Sequence, residues 1–176
     1  TAHYDSRAAG VAASEAVPAA VMLQNIVDIV SGNLSYQNDL VFVFTDETAG
    51  ALAFTQQFKG FDNVTDRVKL SADFTAFGDK GTLALYDVSD KNAALLGAYS
   101  GINGSAYASS LFDLFGFNKA VNGVDAFDGP YLGIGNVGGS ATAADTVENL
   151  SQNICKQHAG IMTRFTEKFG DYDLNT

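Results

Sequence analysis

The chain begins with a short segment in which a histidine and an aspartate stand two residues apart. In an extended strand, residues i and i+2 point to the same face, so His3 and Asp5 would converge on one point. An imidazole supported by a carboxylate is a common half of a metal site, because the acid fixes the tautomer and the orientation of the ring. The spacing therefore predicts a metal-ligating histidine at position 3, with Asp5 as its support.

Further acids follow the predicted strands or open the predicted helices. In chain order they are Glu15, Asp46, Glu47, Asp73 and Asp145. In open α/β sheets, ligands bind where strands end and loops begin, so these carboxylates would serve a metal site or a general acid–base site. The alternative is that they cap helices, because Asp and Glu are favoured near helix N-termini. The residues alone leave both interpretations open.

Hydrophobic periodicity predicts the elements that must hold those acids. Helices are expected over Val17–Ser31, Lys91–Tyr99 and Ser109–Phe117, and strands over Leu40–Phe44, Arg67–Phe74, Thr82–Tyr86 and Tyr131–Gly135. The uninterrupted apolar run over 40–44 indicates a strand that is buried on both faces. Strands alternating with helices predict an α/β fold, namely a three-layer α/β/α sandwich with a mostly parallel mixed sheet. At this length, residues 1–176 are expected to form a single domain.

The last helix is the clearest element of the sequence. Asp145 and Glu148 are spaced as a capping box at its start, and Gly170 is a natural stop. Its buried stripe is predicted to contain Val147, Leu150, Ile154, Ile161 and Phe165. His158 lies one turn from both isoleucines, so it is expected in the core and not at a metal. Cys155, the only cysteine, is expected to be a buried structural thiol.

Composition and charge exclude several classes of function. The chain carries 20 acids against 10 Lys and Arg, a net charge of −10, which argues against nucleic-acid binding and against a polybasic membrane contact. The longest apolar stretch, over residues 17–30, is too short and too polar to span a bilayer. Residues 133–138 spell G-x-G-x-x-G, which would suit a nucleotide-binding module. No strand with a ribose-binding acid follows, so a loop at the rim of a substrate site is expected instead.

Five segments of the chain, in order, resemble the catalytic domain of the dizinc aminopeptidase family. Residues 1–6 resemble the motif A-H-Y-D-S, residues 10–23 resemble G-A-x-D-D-x-x-x-V-A-x-M-L, and residues 40–52 resemble I-F-L-F-T-D-G-E-E-A-G-L-L. Residues 68–73 resemble a strand that ends in N-x-D, and residues 141–150 resemble H-T-P-x-D-T-x-E-N-L. The resemblance implies the α/β sandwich. Because such domains carry strands upstream of the first motif, the chain is also expected to be a fragment that lacks them.

The resemblance implies which positions would hold two zinc ions. The family uses a His, a bridging Asp, a Glu, an Asp and a second His as ligands, with an adjacent Glu as general base. Here the first His is His3 and the later Asp is Asp73, although Ser71 replaces the Asn two residues earlier. The bridging Asp, the ligand Glu and the second His fall on Ser14, Thr48 and Ala141. Three of the five ligands would therefore be missing, because hydroxyls are poor zinc ligands and alanine is none.

The remaining acids allow two interpretations under the same resemblance. Glu47 falls on the general base, but the chain is one residue shorter than the family pattern at that point. A shifted alignment would make Glu47 a ligand and remove the base. Glu15 follows the lost bridging position, so His3, Glu15 and Asp73 with one water would form a single-zinc site, with Glu47 as its base.

The leading hypothesis is a catalytically inactive aminopeptidase-like domain with a binding or assembly role. No cofactor is expected under this hypothesis, and one zinc ion is expected under the single-metal alternative. Non-catalytic members of the family include the transferrin receptor and nicastrin ectodomains. By resemblance to them, the domain is expected to be extracellular or lumenal, as part of a membrane-anchored protein. A protein or peptide partner is expected, whereas nucleic acid and membrane insertion by this segment are not.

Overall fold

A computed structural model describes residues 1–4, 15–46, 50, 53–54, 68–75, 83–88, 93–102, 107–108, 130–135 and 145–173. Within these ranges the strands are β1 (Ala2–His3), β2 (Phe44–Thr45), β3 (Ser71–Thr75), β4 (Ala84–Val88), β5 (Tyr107–Ala108) and β6 (Tyr131–Gly135). The helices are α1 (Val17–Ser31), α2 (Ala93–Ile102) and α3 (Gln152–Gly170), with a 3₁₀ turn over Val147–Asn149. Strands and helices are mixed along the described chain, so the predicted α/β class is confirmed.

The strands form a mixed sheet in which the first residues of the chain lie between two other strands. β1 pairs with β2, and a four-stranded sheet has the order β3-β6-β4-β5. The Thr1 nitrogen donates to the Ala72 carbonyl, and the Phe74 amide donates to the Thr1 carbonyl at 3.1 Å. These two bonds join the sheets in the order β2-β1-β3-β6-β4-β5. The pairs β1–β2, β3–β6 and β4–β5 are parallel, whereas β4–β6 is antiparallel.

One face of this sheet is covered by helices. Phe74 of β3 meets Phe165 of α3 edge to face, with ring centroids 5.3 Å apart. Tyr99 of α2 approaches the same Phe165 ring at 6.5 Å, and α1 packs against both α3 and β1. The three described helices therefore share one apolar cluster. The helix predicted over Ser109–Phe117 lies outside the described residues, so the second helical layer stays a prediction.

The first helix has the predicted bounds and ends in a recognisable cap. After α1, the Asn33 amide donates to the Val30 carbonyl at 3.3 Å, and the Leu34 amide donates to the Ile29 carbonyl at 3.0 Å. This is the Schellman pattern, which requires a left-handed residue at its centre. Asn33 takes that conformation with φ 49°, which asparagine tolerates better than most residues. The chain consequently turns sharply out of α1 toward β2.

The last helix begins later than the sequence predicts. Its N-cap is Ser151, whose hydroxyl accepts a hydrogen bond from the Ile154 amide at 3.4 Å. The capping box of Asp145 and Glu148 is therefore wrong. Hydrogen bonds from its own amide and from the Thr146 hydroxyl hold the pKa of Glu148 below its usual value. Glu148 thus belongs to the 3₁₀ turn, whose local bonds interrupt the helix between 149 and 152.

The buried stripe of α3 is confirmed in its central part. Ile161 and Phe165 are buried, whereas Val147 is 70% exposed because it lies on the 3₁₀ turn and not on the helix. The helix ends at Gly170, as predicted. A Cβ atom at this position would lie 2.7 Å from ring carbons of Tyr36. Glycine is therefore required for the close packing of the segment after α1 on the end of α3.

The strand predicted over Leu40–Phe44 differs most from expectation. The observed strand is Phe44–Thr45, and the side chains of Val41 and Phe44 are 51% and 36% exposed. Its burial on both faces is therefore wrong. Among the described strands, β2 pairs with β1 alone. The strand Tyr131–Gly135 has the predicted bounds. The strands predicted over Arg67–Phe74 and Thr82–Tyr86 and the helix predicted over Lys91–Tyr99 are displaced by a few residues. No helix in the described part of the chain is long and apolar enough to cross a membrane.

Candidate metal-ligand site

A cluster of polar side chains lies on the sheet face opposite the helices. We call it the polar cluster; it consists of Thr1, His3, Thr45 and Asp73. Because side chains alternate along β3 and Phe74 points to α3, its neighbour Asp73 points to the other face. The two titratable members are deeply buried, since His3 is 3% and Asp73 is 0% exposed. Buried polar groups of this kind need partners within the protein.

Strand register supplies those partners. His3 is paired with Thr45 in the β1–β2 ladder, and the Thr45 hydroxyl lies 2.9 Å from His3 Nδ1 in a hydrogen bond. The two backbone bonds between Thr1 and β3 place Thr1 beside Asp73. The Thr1 hydroxyl donates to Asp73 Oδ1 at 2.5 Å. His3 Nε2 faces the same oxygen at 3.7 Å. Each strand neighbour thus contributes one group to the cluster.

Thr45 and Thr1 also belong to this site, although the sequence does not predict them there. Asp5, the predicted support of His3, lies outside the described residues, and the described structure shows the Thr45 hydroxyl on the Nδ1 side of the ring. Thr1 lies in segment 1–6 and Thr45 lies in segment 40–52, both of which resemble motifs of the family. The residue facing His3 follows from strand register, which no sequence motif records.

Ser71 lies two residues before Asp73 on the same face of β3, where the resemblance places an asparagine. Its side chain is buried, and its hydroxyl oxygen has no hydrogen-bond partner among the described residues. An unsatisfied buried hydroxyl costs roughly 1–3 kcal/mol. The smaller serine therefore fills the position without forming a hydrogen bond there.

The polar cluster supplies two of the ligands that a zinc ion needs. Two ligand atoms of one tetrahedral zinc lie roughly 3.4 Å apart, given bond lengths of about 2.0–2.2 Å, so the 3.7 Å between His3 Nε2 and Asp73 Oδ1 suits one shared cation. A catalytic zinc takes three protein ligands and a structural zinc takes four. Among the described residues, no three His, Cys, Asp or Glu side chains form a group that could hold a metal ion. The described donor set therefore falls short of a zinc site.

The predicted site residues divide into three groups. His3 and Asp73 lie together, and their role as metal ligands stays a prediction. Glu15 is described, at a wide π-type turn just before α1, and is not grouped with them as a metal-binding trio. The others lie outside the described residues; they are Asp5, Ser14, Glu47, Thr48 and Ala141. Their assignments as support, lost ligands and base stay predictions.

Three secondary candidates from the sequence have defined places. His158 is 2% exposed in α3, as predicted for a core histidine. Cys155 is only partly buried, and desolvation raises the pKa of its thiol, so it is a weak nucleophile. Gly133 and Gly135 lie inside β6 and pair with Asp73 and Thr75 of β3. The predicted rim loop is therefore wrong for these two glycines, and a strand interior is not where the dinucleotide fingerprint binds phosphate.

Comparison with known proteins supports the fold. A scan against protein-family models finds no match, and a search of curated proteins also finds none. Among solved structures, the chain is similar to BSAP, a zinc aminopeptidase from Bacillus subtilis, with a TM-score of 0.68 and 15% sequence identity. The match covers 99% of this chain but only 46% of BSAP. The chain therefore has a zinc-aminopeptidase-like fold over its length and spans less than half of that enzyme.

Proposed function

We propose that this chain is an aminopeptidase-like domain that does not hydrolyse peptides and acts in binding or assembly. The observation that carries the proposal is the polar cluster. His3 and Asp73, the two ligand residues that the sequence retains, face each other at 3.7 Å and are bonded to threonine hydroxyls. By resemblance, the three other ligand positions hold Ser14, Thr48 and Ala141. We also propose that the α/β fold is a three-layer α/β/α sandwich.

The chemistry of two-metal hydrolysis explains why these losses matter. Two cations a few ångströms apart need a shared carboxylate, and together they position and activate the attacking water. Serine at the bridging position carries no charge, and alanine offers no donor atom. In the described cluster, the threonine hydroxyls instead satisfy Asp73 and His3 directly. A retained pair of this kind stabilises the fold without a metal.

The test measures zinc content and hydrolysis together. After incubation with zinc and desalting, we expect the wild-type chain to hold well under one zinc per molecule and to leave aminoacyl chromogenic substrates intact. A matched variant, Ser14→Asp with Thr48→Glu and Ala141→His, restores the ligand types of the family and should gain zinc. Stoichiometric zinc with chelator-sensitive turnover in the wild type would overturn the proposal. If the triple variant gains no zinc, the assignment of the lost ligand positions is wrong.

A single-metal hydrolase is the second candidate. It is favoured by the distance between His3 Nε2 and Asp73 Oδ1, which suits two ligands of one cation. Glu15 would be the third ligand and Glu47 the general base. Glu47→Gln should then abolish turnover and leave one bound zinc unchanged. Wild-type protein without measurable turnover would remove this candidate.

The biological setting belongs to the same proposal. The net charge of −10 favours a protein or peptide partner over nucleic acid. By resemblance to the non-catalytic family members, we place the domain outside the cytoplasm, as part of a larger membrane-anchored protein. Detection of the intact protein in the cytoplasmic fraction of its source would contradict this placement.

A further inference from the structure

The solvent side of α1 carries an unbroken apolar stripe. The stripe consists of Ala20, Leu23, Val27 and Val30, all of them exposed. Leu23 is 56%, Val27 is 50% and Val30 is 70% exposed. Successive members are three, four and three residues apart, which is the a/d spacing of helices that pack knobs into holes. The side chains that α1 buries in its own core are Pro18, Met22 and Asn25.

A surface helix normally presents a polar face to water and one apolar stripe to the core. α1 has a second apolar stripe in addition to the buried one, and its exposed members form one contiguous patch along the helix. Contiguous exposed apolar patches on soluble proteins commonly mark interaction sites. The a/d spacing specifies the shape of the occupant, because it matches a second α-helix lying nearly parallel or antiparallel to α1.

The stripe can pair with an identical stripe that runs antiparallel to it. Suppose that a two-fold axis lies level with residue 25. Ala20 then meets Val30 of the second copy, and Leu23 meets Val27 of the second copy, since the members of each pair are equally far from residue 25 in opposite directions. The smallest side chain lies opposite a larger one. Such an arrangement is an isologous contact, in which the same patch serves both copies.

The stripe lacks the charge that would repel a second copy of the chain. The helical positions that flank the stripe are Ala19, Gln24, Ile26 and Ser31, and none of them is charged. The only charged residue of α1 is Asp28, which accepts a hydrogen bond from Gln24 at 2.8 Å. Most of a surface with net charge −10 repels its own copy, whereas this face does not. Charges at the flanking positions of paired helices set partner choice and orientation. Because α1 has none there, an identical helix meets no like charge along this stripe.

We infer that α1 is a self-association surface on which a second copy of this chain docks antiparallel. The inference rests on the proposed function for its role, because it gives the assembly function a partner. It shares no residue with the metal-ligand positions, so the two can fail separately. The contact is nearly three helical turns long and falls at the small end of specific interfaces. We therefore expect a dissociation constant on the order of micromolar and not nanomolar.

Sedimentation velocity of the purified chain, over roughly 1 µM to 1 mM protein, tests the dimer. Wild type should shift from monomer to dimer across this range. Leu23→Glu and Val27→Lys should each weaken the dimer by about tenfold or more, because each would place a lone charge against an apolar side chain. The double variant should recover most of the affinity, since the two introduced charges have opposite signs and face each other across the two-fold axis.

The matched control is Leu96→Glu, the same kind of change at an exposed leucine of α2, which should leave the dimer unchanged. Circular dichroism of every variant shows whether it is folded. A wild type that stays monomeric throughout the range overturns the inference and assigns the stripe to another occupant. A dimer insensitive to both single variants, or one that the double variant does not recover, overturns the proposed surface or its antiparallel register. None of these results bears on the zinc and hydrolysis measurements.

Discussion

Two neighbouring residues of β3, Asp73 and Phe74, show how differently the two faces of the sheet are stabilised. Phe74 is 6% exposed and packs edge to face on Phe165. Asp73 is fully buried and is held by the Thr1 hydroxyl and by His3. The apolar face is satisfied by any side chains of suitable volume, whereas the polar face needs particular donors at particular distances. The fold and the chemistry of this molecule therefore depend on different residues.

This difference explains how a fold of this kind can tolerate changes in the residues of its polar face. Substitutions on the polar face change the donor set and leave the helix packing intact. Substitutions on the helical face remove buried volume and endanger the fold itself. A similarity of fold at 15% identity consequently says little about activity.

Truncation on the helical face should have the largest effect. Phe165→Ala removes a ring that contacts Phe74, Tyr99 and Phe169. We expect the free energy of unfolding to fall by about 3–5 kcal/mol, because a large buried side chain is replaced by a cavity. Guanidinium denaturation followed by circular dichroism measures this loss. The exposed Leu96→Ala is the control, and a loss below about 1 kcal/mol for Phe165→Ala would contradict the central place given to this ring.

A substitution on the polar face should cost less. Asp73→Asn keeps the size of the side chain and an oxygen that can accept from Thr1, but it removes the negative charge that faces His3. We expect a loss of roughly 1–3 kcal/mol in the same denaturation experiment. The exposed Asp46→Asn should change stability by no more than about 0.5 kcal/mol. A larger loss for Asp73→Asn than for Phe165→Ala would reverse the contrast between the two faces.

Two substitutions test which residue caps the start of α3. Ser151→Ala should lower the free energy of unfolding by about 1 kcal/mol, since the hydroxyl caps the Ile154 amide. Asp145→Ala should have an effect within about 0.5 kcal/mol, because this residue precedes the 3₁₀ turn and does not cap α3. Equal losses for the two variants would restore the capping box that the sequence predicts.

The reactivity of Cys155 measures how well the outer side of α3 is packed. Burial raises the pKa of its thiol, so the thiolate fraction near neutral pH is smaller than in the unfolded chain. Its alkylation rate should therefore rise with pH and reach half of its maximum at a higher pH in the native protein than in urea. Stopped-flow reaction with a maleimide at several pH values measures both curves. Coincident curves would show that the thiol is fully solvated.

Local signals predict some elements of this fold well. The helix over Val17–Ser31 and the strand over Tyr131–Gly135 have the expected bounds, because each has a clear period and ends at a turn residue or at polar sequence. The last helix has its predicted end at Gly170 but not its predicted start. Two plausible caps, Asp145 and Ser151, stand only six residues apart. Only the conformation of the intervening turn decides between them.

The sequence predicts the two candidate ligands of the site but not the residues that surround them. His3 and Asp73 follow from the resemblance and lie together. Thr45 and Thr1 were not predicted, because each enters the site through strand register with a distant segment. The exposed face of α1 is a similar case. The apolar residues of the helix are visible in the sequence, but periodicity alone does not say which of two apolar stripes the core will use.

Some properties of this protein belong to the sequence itself and hold in any conformation. They are the composition, the net charge, the helical and strand periods and the candidate ligand positions. The burial of Asp73, its contact with a residue 72 positions earlier, and the exposure of the apolar segment around β2 are properties of the assembled sheet. All three depend on the position of β1 between β2 and β3. The physical reason is that burial and hydrogen-bond partners depend on which strands become neighbours, and that choice is made by the packing of the whole molecule.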